Sequence, residues 1–191
     1  MIENIKADLK KAYIARVDRL NHIYGVRQVA RLLGKIHHVD LDKIDLAVYL
    51  HDLTKYESND FHEQWIKKTY NESILKAFSK PLHHAFSAAA VAQHIYDIKD
   101  EDIIHAIESH TVGRPAMSTL EKIIFISDYI EPHRLYASCV NVREIAFHNL
   151  DLAVYMAIDE SIRFFEKDQG FIPDVAYQAR SYYKPKGEPN E

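Results

Sequence analysis

Cysteine, glycine and proline are scarce in this chain: one, five and six among 191 residues. The lone Cys139 excludes a disulfide framework and a cysteine-rich zinc site. So few turn residues leave little room for hairpins, and no stretch sustains period-two alternation. An excess of basic charge is also missing. Twenty-four Lys and Arg against 28 Asp and Glu give a net charge of −4. That argues against a broad nucleic-acid surface, which needs many neutralised phosphates. It leaves room for a small phosphate-bearing ligand, which needs only a few placed cations. The apolar runs are too short for a membrane span, and the opening MIENIKADLKKAY lacks the apolar region of a signal peptide. The expectation is a cytoplasmic protein without nucleic-acid or membrane partners.

What is present is helical spacing. With 47% hydrophobic and 27% charged residues the composition is that of an ordinary globular domain. Amphipathic segments run over Ile5 to Val17, His22 to Leu33, Leu41 to Leu53, Phe61 to Phe78, Leu82 to Tyr96, Asp100 to His110, Ser118 to Ile130 and Leu150 to Phe165. Gly34 reads as the stop of the second segment. There is no repeat and no linker. The sequence therefore predicts an all-α helical bundle, one domain over 1–191, with a flexible tail over about 181–191.

Twelve histidines are unusual, and their helix faces matter most. Residues three, four and seven apart share a face. His22 aligns with Val26, Val29 and Leu33, His84 with Ala88, Val91 and Ile95, and His110 with Ile103, Ala106 and Ile107. His51 follows Ala47 and Val48, with Asp52 beside it, and Asp128 follows Ile124 and Phe125. Four histidines and two aspartates from five helices thus point toward apolar interior. One buried histidine is usually a satisfied core residue, but six converging polar groups are met more economically by a shared metal pair. Imidazole and carboxylate suit iron, manganese, zinc or nickel. His83 is rotated about 100° from His84, so only one of them should face the site, and His84, with the better apolar stripe, is the one expected to. His37, His38, His62, His94, His105 and His148 read as surface or ordinary packing.

The pattern His22, His51-Asp52 and Asp128 resembles the signature of the HD-domain metal phosphohydrolases. HDLTK (His51 to Lys55), with His84 and His110 before Asp128, resembles the six-ligand, dinuclear version. HTVGRPAMSTLEKIIFISDYIEPHR (His110 to Arg134), HIYGV (His22 to Val26) and HAFSAAA (His84 to Ala90) are similar to the bacterial HD-domain symmetrical bis(5'-nucleosyl)-tetraphosphatase family, the YqeK-like diadenosine tetraphosphate hydrolases. The resemblance covers about 15–165. Ala88 and His133 stand where that family more often has Gly and Asn.

The resemblance implies an HD-domain bundle with two divalent metal ions, iron first, with manganese or cobalt as alternatives. It implies a homodimer cleaving diadenosine tetraphosphate into two ADP through metal-bound hydroxide attack on an inner phosphorus. His22, His51, Asp52 and Asp128 would hold one metal, and His84 and His110 the second, with Asp52 bridging. Two metals roughly 3.5–4 Å apart suit such a displacement. Asp52 and Lys55 are the expected catalytic residues, and Lys55, Arg114 and Arg134 the expected phosphate contacts. Lys55, four residues after His51, is expected on the same helix face. Glu131 could orient a histidine ligand or a water, and His133 could touch ligand. No tyrosine stands out as an adenine contact. Other readings are an HD-type phosphohydrolase acting on other nucleotides, a di-iron oxygenase or a non-catalytic nucleotide sensor.

Overall fold

The computed structural model describes residues 1–187. Among them there are eleven α-helices and no strand. The helices are α1 (Ile2–Ala12), α2 (Val17–Ile36), α3 (Leu41–Leu50), α4 (Asn59–Thr69), α5 (Ser73–Ala77), α6 (His83–Ile95), α7 (Glu101–Ser109), α8 (Thr119–Ile130), α9 (Ala137–Ala146), α10 (Leu150–Lys167) and α11 (Asp174–Tyr183). A single 3₁₀ turn, Lys80–Leu82, leads into α6. No helix among the described residues is long and apolar enough to cross a membrane.

Helices α2, α3, α6, α7 and α8 pack on one another and form the centre, while α4 lies on α6 and α10 joins α8 to α9 and α11. The apolar stripes read from the sequence face this centre. Val26, Val29 and Leu33 of α2 are buried, as are Ile103, Ala106 and Ile107 of α7 and Ile123, Ile124 and Phe125 of α8. Helix starts are fixed locally by side chains that accept otherwise orphaned backbone N–H groups. Asp40, Ser58, Asp100, Ser118 and Asn149 do so for α3, α4, α7, α8 and α10. At α8, Glu121 returns a bond to the Ser118 N–H and completes a capping box.

Gly34 does not stop α2, which continues to Ile36. A Cβ on Gly34 would lie 2.1 Å from Ile44 Cδ1, so this glycine lets α2 and α3 approach closely. The left-handed residue after α2 is His38, with φ 56°. Helix α3 ends at Leu50, and a run of tight turns follows. The Leu53, Lys55 and Glu57 N–H groups donate to the carbonyls three residues back. Lys55 is thus placed by turns rather than by a helix face. Helices α9 and α11 had no counterpart in the sequence reading. The tail is ordered as far as α11. Tyr183 is buried, and its hydroxyl accepts the Met117 N–H at 2.8 Å. Residues 188–191 of the expected tail lie outside the described residues.

Candidate metal centre and its cleft

Five backbone segments bring the six expected ligands together. His22 comes from α2, His51 and Asp52 from the end of α3, and His84 from the first turn of α6. His110 follows the end of α7, and Asp128 lies in α8. Asp52 is at the middle, and its two oxygens face different groups. Oδ2 lies 3.9 Å from His22 Nε2 and 3.6 Å from His51 Nε2. Oδ1 lies 3.2 Å from His84 Nε2 and 3.6 Å from His110 Nε2. Two buried triads with donor atoms within 4.8 Å of one another result: His22, His51, Asp52 and Asp52, His84, His110. Asp128 Oδ1 closes on the first at 2.9 Å from His22 Nε2.

The tautomers follow from the partners on the far side of each ring. Nδ1 of His51, His84 and His110 lies 2.7, 2.8 and 2.6 Å from the carbonyls of Val48, Pro81 and Ile107. Nδ1 of His22 lies 3.3 Å from Glu131 Oε1. Carbonyl oxygens only accept, so Nδ1 of His51, His84 and His110 carries the hydrogen, whereas His22 has a carboxylate at each nitrogen. The Nε2 atoms of His51, His84 and His110 then turn their lone pairs toward Asp52. Those of His84 and His110 face each other at 3.3 Å, an arrangement of two acceptors that calls for a cation between them. His22 Nε2, His51 Nε2 and Asp52 Oδ1 are buried without a hydrogen-bond partner. Leaving such groups unmet costs several kcal/mol, roughly 1–3 each for neutral ones. Neutral imidazoles held by a second partner at Nδ1, around an ionised bridging carboxylate, fit divalent cations.

The charge states agree with this donor set. Burial pushes His51 down to about 4, keeping it neutral at pH 7. It also lowers His84. Burial by itself would raise Asp52, but His51, His110, His84 and Lys55 hold its carboxyl well below the usual range. Asp128 is likewise held low against its burial by His22 and Arg134.

Around the ligands is a supporting layer. Lys55 Nζ reaches His84 Nε2 at 3.0 Å and Asp52 Oδ1 at 3.6 Å. Arg134 Nη2 lies 3.2 Å from Asp128 Oδ1. Glu131, the cap of α8, is buried and also accepts the His133 N–H at 2.9 Å. A Cβ on Gly25 would meet Glu131 Oε2 at 2.6 Å, so the glycine makes room for that carboxylate. His133 itself is 62% exposed, its Nδ1 2.9 Å from Glu131 Oε2. His84 faces the centre, whereas His83 turns its Nε2 to the Phe78 carbonyl at 2.9 Å.

Arg114, an expected phosphate contact, has a carboxylate partner in the structure. The positive φ of Gly113, 70°, turns the chain after His110. The Arg114 fork then closes on Glu121, with Nε to Oε1 at 2.6 Å and Nη2 to Oε2 at 2.7 Å. Glu121 is fully buried, so the fork neutralises the capping-box carboxylate.

Arg19, His62 and Arg143 complete the surroundings of the site. Arg19 Nη1 lies 2.9 Å from Asp52 Oδ2, and its place three residues before His22 on α2 was the available signal. His62, expected as ordinary packing, is indeed packed, but beneath the site. Its Nδ1 lies 2.8 Å from Ser87 Oγ, which bonds the His84 carbonyl. Arg143 of α9 donates to the carbonyls of Ile130, Glu131 and Arg134, pinning the loop after Asp128. Nothing local in the sequence marks that role. A cleft of about 630 Å³ opens beside the centre, lined by Asp18, Arg19, His22, His133, Arg134 and neighbours.

A family model described as HD domain matches residues 19–133. A protein of Halalkalibacterium halodurans named symmetrical bis(5'-nucleosyl)-tetraphosphatase is 35% identical over 158 residues, covering 82% of this chain and 84% of that protein. One of the same name from Staphylococcus aureus is 31% identical over 172 residues, covering 89% of each. Among solved structures, an HD superfamily hydrolase of Clostridium acetobutylicum, described as involved in NAD metabolism, superposes with a TM-score of 0.88 at 32% identity, over 96% of both chains. With the family match spanning more than half of its length, and these identities most of it, the chain belongs to the HD domain family, among the symmetrical bis(5'-nucleosyl)-tetraphosphatases.

Proposed function

We propose that this protein is a divalent-metal-dependent hydrolase that cleaves diadenosine tetraphosphate symmetrically into two ADP. The names of its relatives support the substrate. The observation that carries the mechanism is the division of the Asp52 carboxylate between two histidine pairs. Divalent cations held by these residues would supply Lewis acidity and lower the pKa of bound water from 15.7 to about 7.

The chain's own residues then have distinct tasks. His22, His51, Asp52 and Asp128 would hold one cation, and Asp52, His84 and His110 the other. Lys55, beside Asp52 and His84, takes a phosphoryl oxygen near the reacting phosphorus, where a point charge suffices. Arg134, on the cleft, takes a neighbouring phosphate with its fork. Arg114 is left as the partner of Glu121. Hydrolysis adds water across the central P–O–P linkage: the new P–O bond forms at one inner phosphorus, and ADP leaves with the bridging oxygen. Iron is our first choice of metal, with manganese or cobalt able to serve, because imidazole and carboxylate donors suit all three. A homodimeric, cytoplasmic enzyme completes the reading, in line with the family resemblance.

Product analysis tests it. The protein is incubated anaerobically with iron, manganese or cobalt and diadenosine tetraphosphate in labelled water. Early time points are resolved by anion exchange. ADP is expected as the sole nucleotide product, two per substrate, with label in one of the two. Equal AMP and ATP would overturn the symmetrical assignment.

A further inference from the structure

Arg19 stands in the first turn of α2, one turn before His22. Its Nη1 lies 2.9 Å from Asp52 Oδ2, the oxygen that faces His22 and His51. A cation held by that histidine pair would stand at the same oxygen, where it and the guanidinium repel each other. The side chain also stands 5.9 Å from the centroid of the Tyr56 ring. It is 20% exposed and lines the cleft it shares with Arg134. Arg134 has the matching position at the other aspartate, 3.2 Å from Asp128 Oδ1. Two arginines thus stand between ligand carboxylates and a common cleft.

We propose that Arg19 is a phosphate-binding residue gated by metal: a cation displaces its guanidinium from Asp52 Oδ2, and the freed fork turns into the cleft to bind polyphosphate. Metal loading and substrate affinity are thereby coupled through one side chain. The charge exchange has a simple logic. Asp52 keeps a cationic partner throughout, and the fork presents its donors to phosphate only when the centre is ready. The idea rests on reading the cleft as a polyphosphate site.

Two titrations on the full chain test it. Manganese binding is measured calorimetrically on chelator-stripped protein, and inorganic tripolyphosphate binding at a fixed free manganese concentration. Arg19→Gln should tighten manganese binding by about fivefold or more and weaken tripolyphosphate by about tenfold, within the usual range of coupling between sites. Opposite signs are the signature, since a merely structural arginine would weaken both. Arg19→Lys, which keeps the charge and loses the fork, should fall between wild type and Arg19→Gln in each titration, and serves if the glutamine variant does not fold. Weaker manganese binding in either variant, or unchanged tripolyphosphate binding, would overturn the proposal. Tripolyphosphate carries no nucleoside, so a wrong choice of dinucleotide substrate shows only in the product analysis.

Discussion

Glu131 grips His22 from behind: its Oε1 lies 3.3 Å from His22 Nδ1, while Nε2 of the same ring faces Asp128 Oδ1 at 2.9 Å. With Nδ1–H bonded to Glu131, Nε2 would be the nitrogen offered to a cation, and the carboxylate would make it more basic. Glu131→Gln keeps the shape and removes the charge. It should lower metal affinity about 10–100-fold, the usual cost of losing such a partner. A competition titration with a chelating dye measures it, and wild-type affinity would reduce Glu131 to a helix cap.

Gly25 makes that grip sterically feasible. In Gly25→Ala the new Cβ, 2.6 Å from Glu131 Oε2, forces the carboxylate aside. Helix propensity would favour alanine by about 1 kcal/mol. Overpacking against a buried group costs about 1–3 kcal/mol and should win. Thermal melts should show the single variant destabilised and Gly25→Ala/Glu131→Ala largely relieved of that strain. Additive effects of the two changes would refute the clash.

Asp52 joins the two halves of the centre, so its loss should be felt by both. Asp52→Ala is expected to abolish nearly all turnover and to leave zero or one metal per chain by elemental analysis. A variant that retains two metals and full activity would dismiss the bridge.

Arg114 should matter to stability more than to binding. Its fork neutralises Glu121, which is fully buried, though Arg114 itself is 39% exposed. Removing one partner of a buried pair costs about 3–5 kcal/mol, and solvent access to the arginine discounts this to about 1–3. Arg114→Ala should shift the urea midpoint accordingly, and Arg114→Lys should recover only part, lacking the fork. A large rise in KM at unchanged stability would return Arg114 to the phosphate contacts.

Acid should destabilise the chelator-treated protein before its carboxylates titrate. Burial pushes both His51 and His62 down to about 4, below the 6.5 of an exposed histidine. Between those values the unfolded chain binds protons that the folded chain refuses, so stability falls as pH drops from about 6.5 toward 4. Melting temperatures from pH 7.5 to 4.5 should trace this fall. His62→Gln should flatten it while leaving the His51 contribution. A slope unaltered in that variant would show that His62 takes its proton while folded.

Much of the site was legible because helical periodicity assigns faces. His22 shares its stripe with Val26, Val29 and Leu33, and the structure buries all four. Rotation leaves one of His83 and His84 to face the site, and the better apolar stripe of His84 chooses between them. Where the chain leaves the helix, that reasoning ends. Lys55 reaches the centre through successive tight turns after α3, and His110 lies just beyond the last residue of α7. Helices α9 and α11 were not read from the sequence. Arg143, charged and ordinary in its own segment, acquires its role only by meeting three carbonyls from the loop after α8.

Composition and spacing make the chain helical, deny it a cysteine framework and turn His22, His51, Asp52, His84, His110 and Asp128 inward; the burial of His62, His83 and Asp45 was not read from them. Those properties depend on composition and on spacing within one helix. Packing between helices gives each oxygen of Asp52 a different histidine pair, sets Arg19 on one of them and closes the Arg114 fork on Glu121. These are distances between segments far apart in the chain. They are set by how the helices pack, and no local periodicity encodes them.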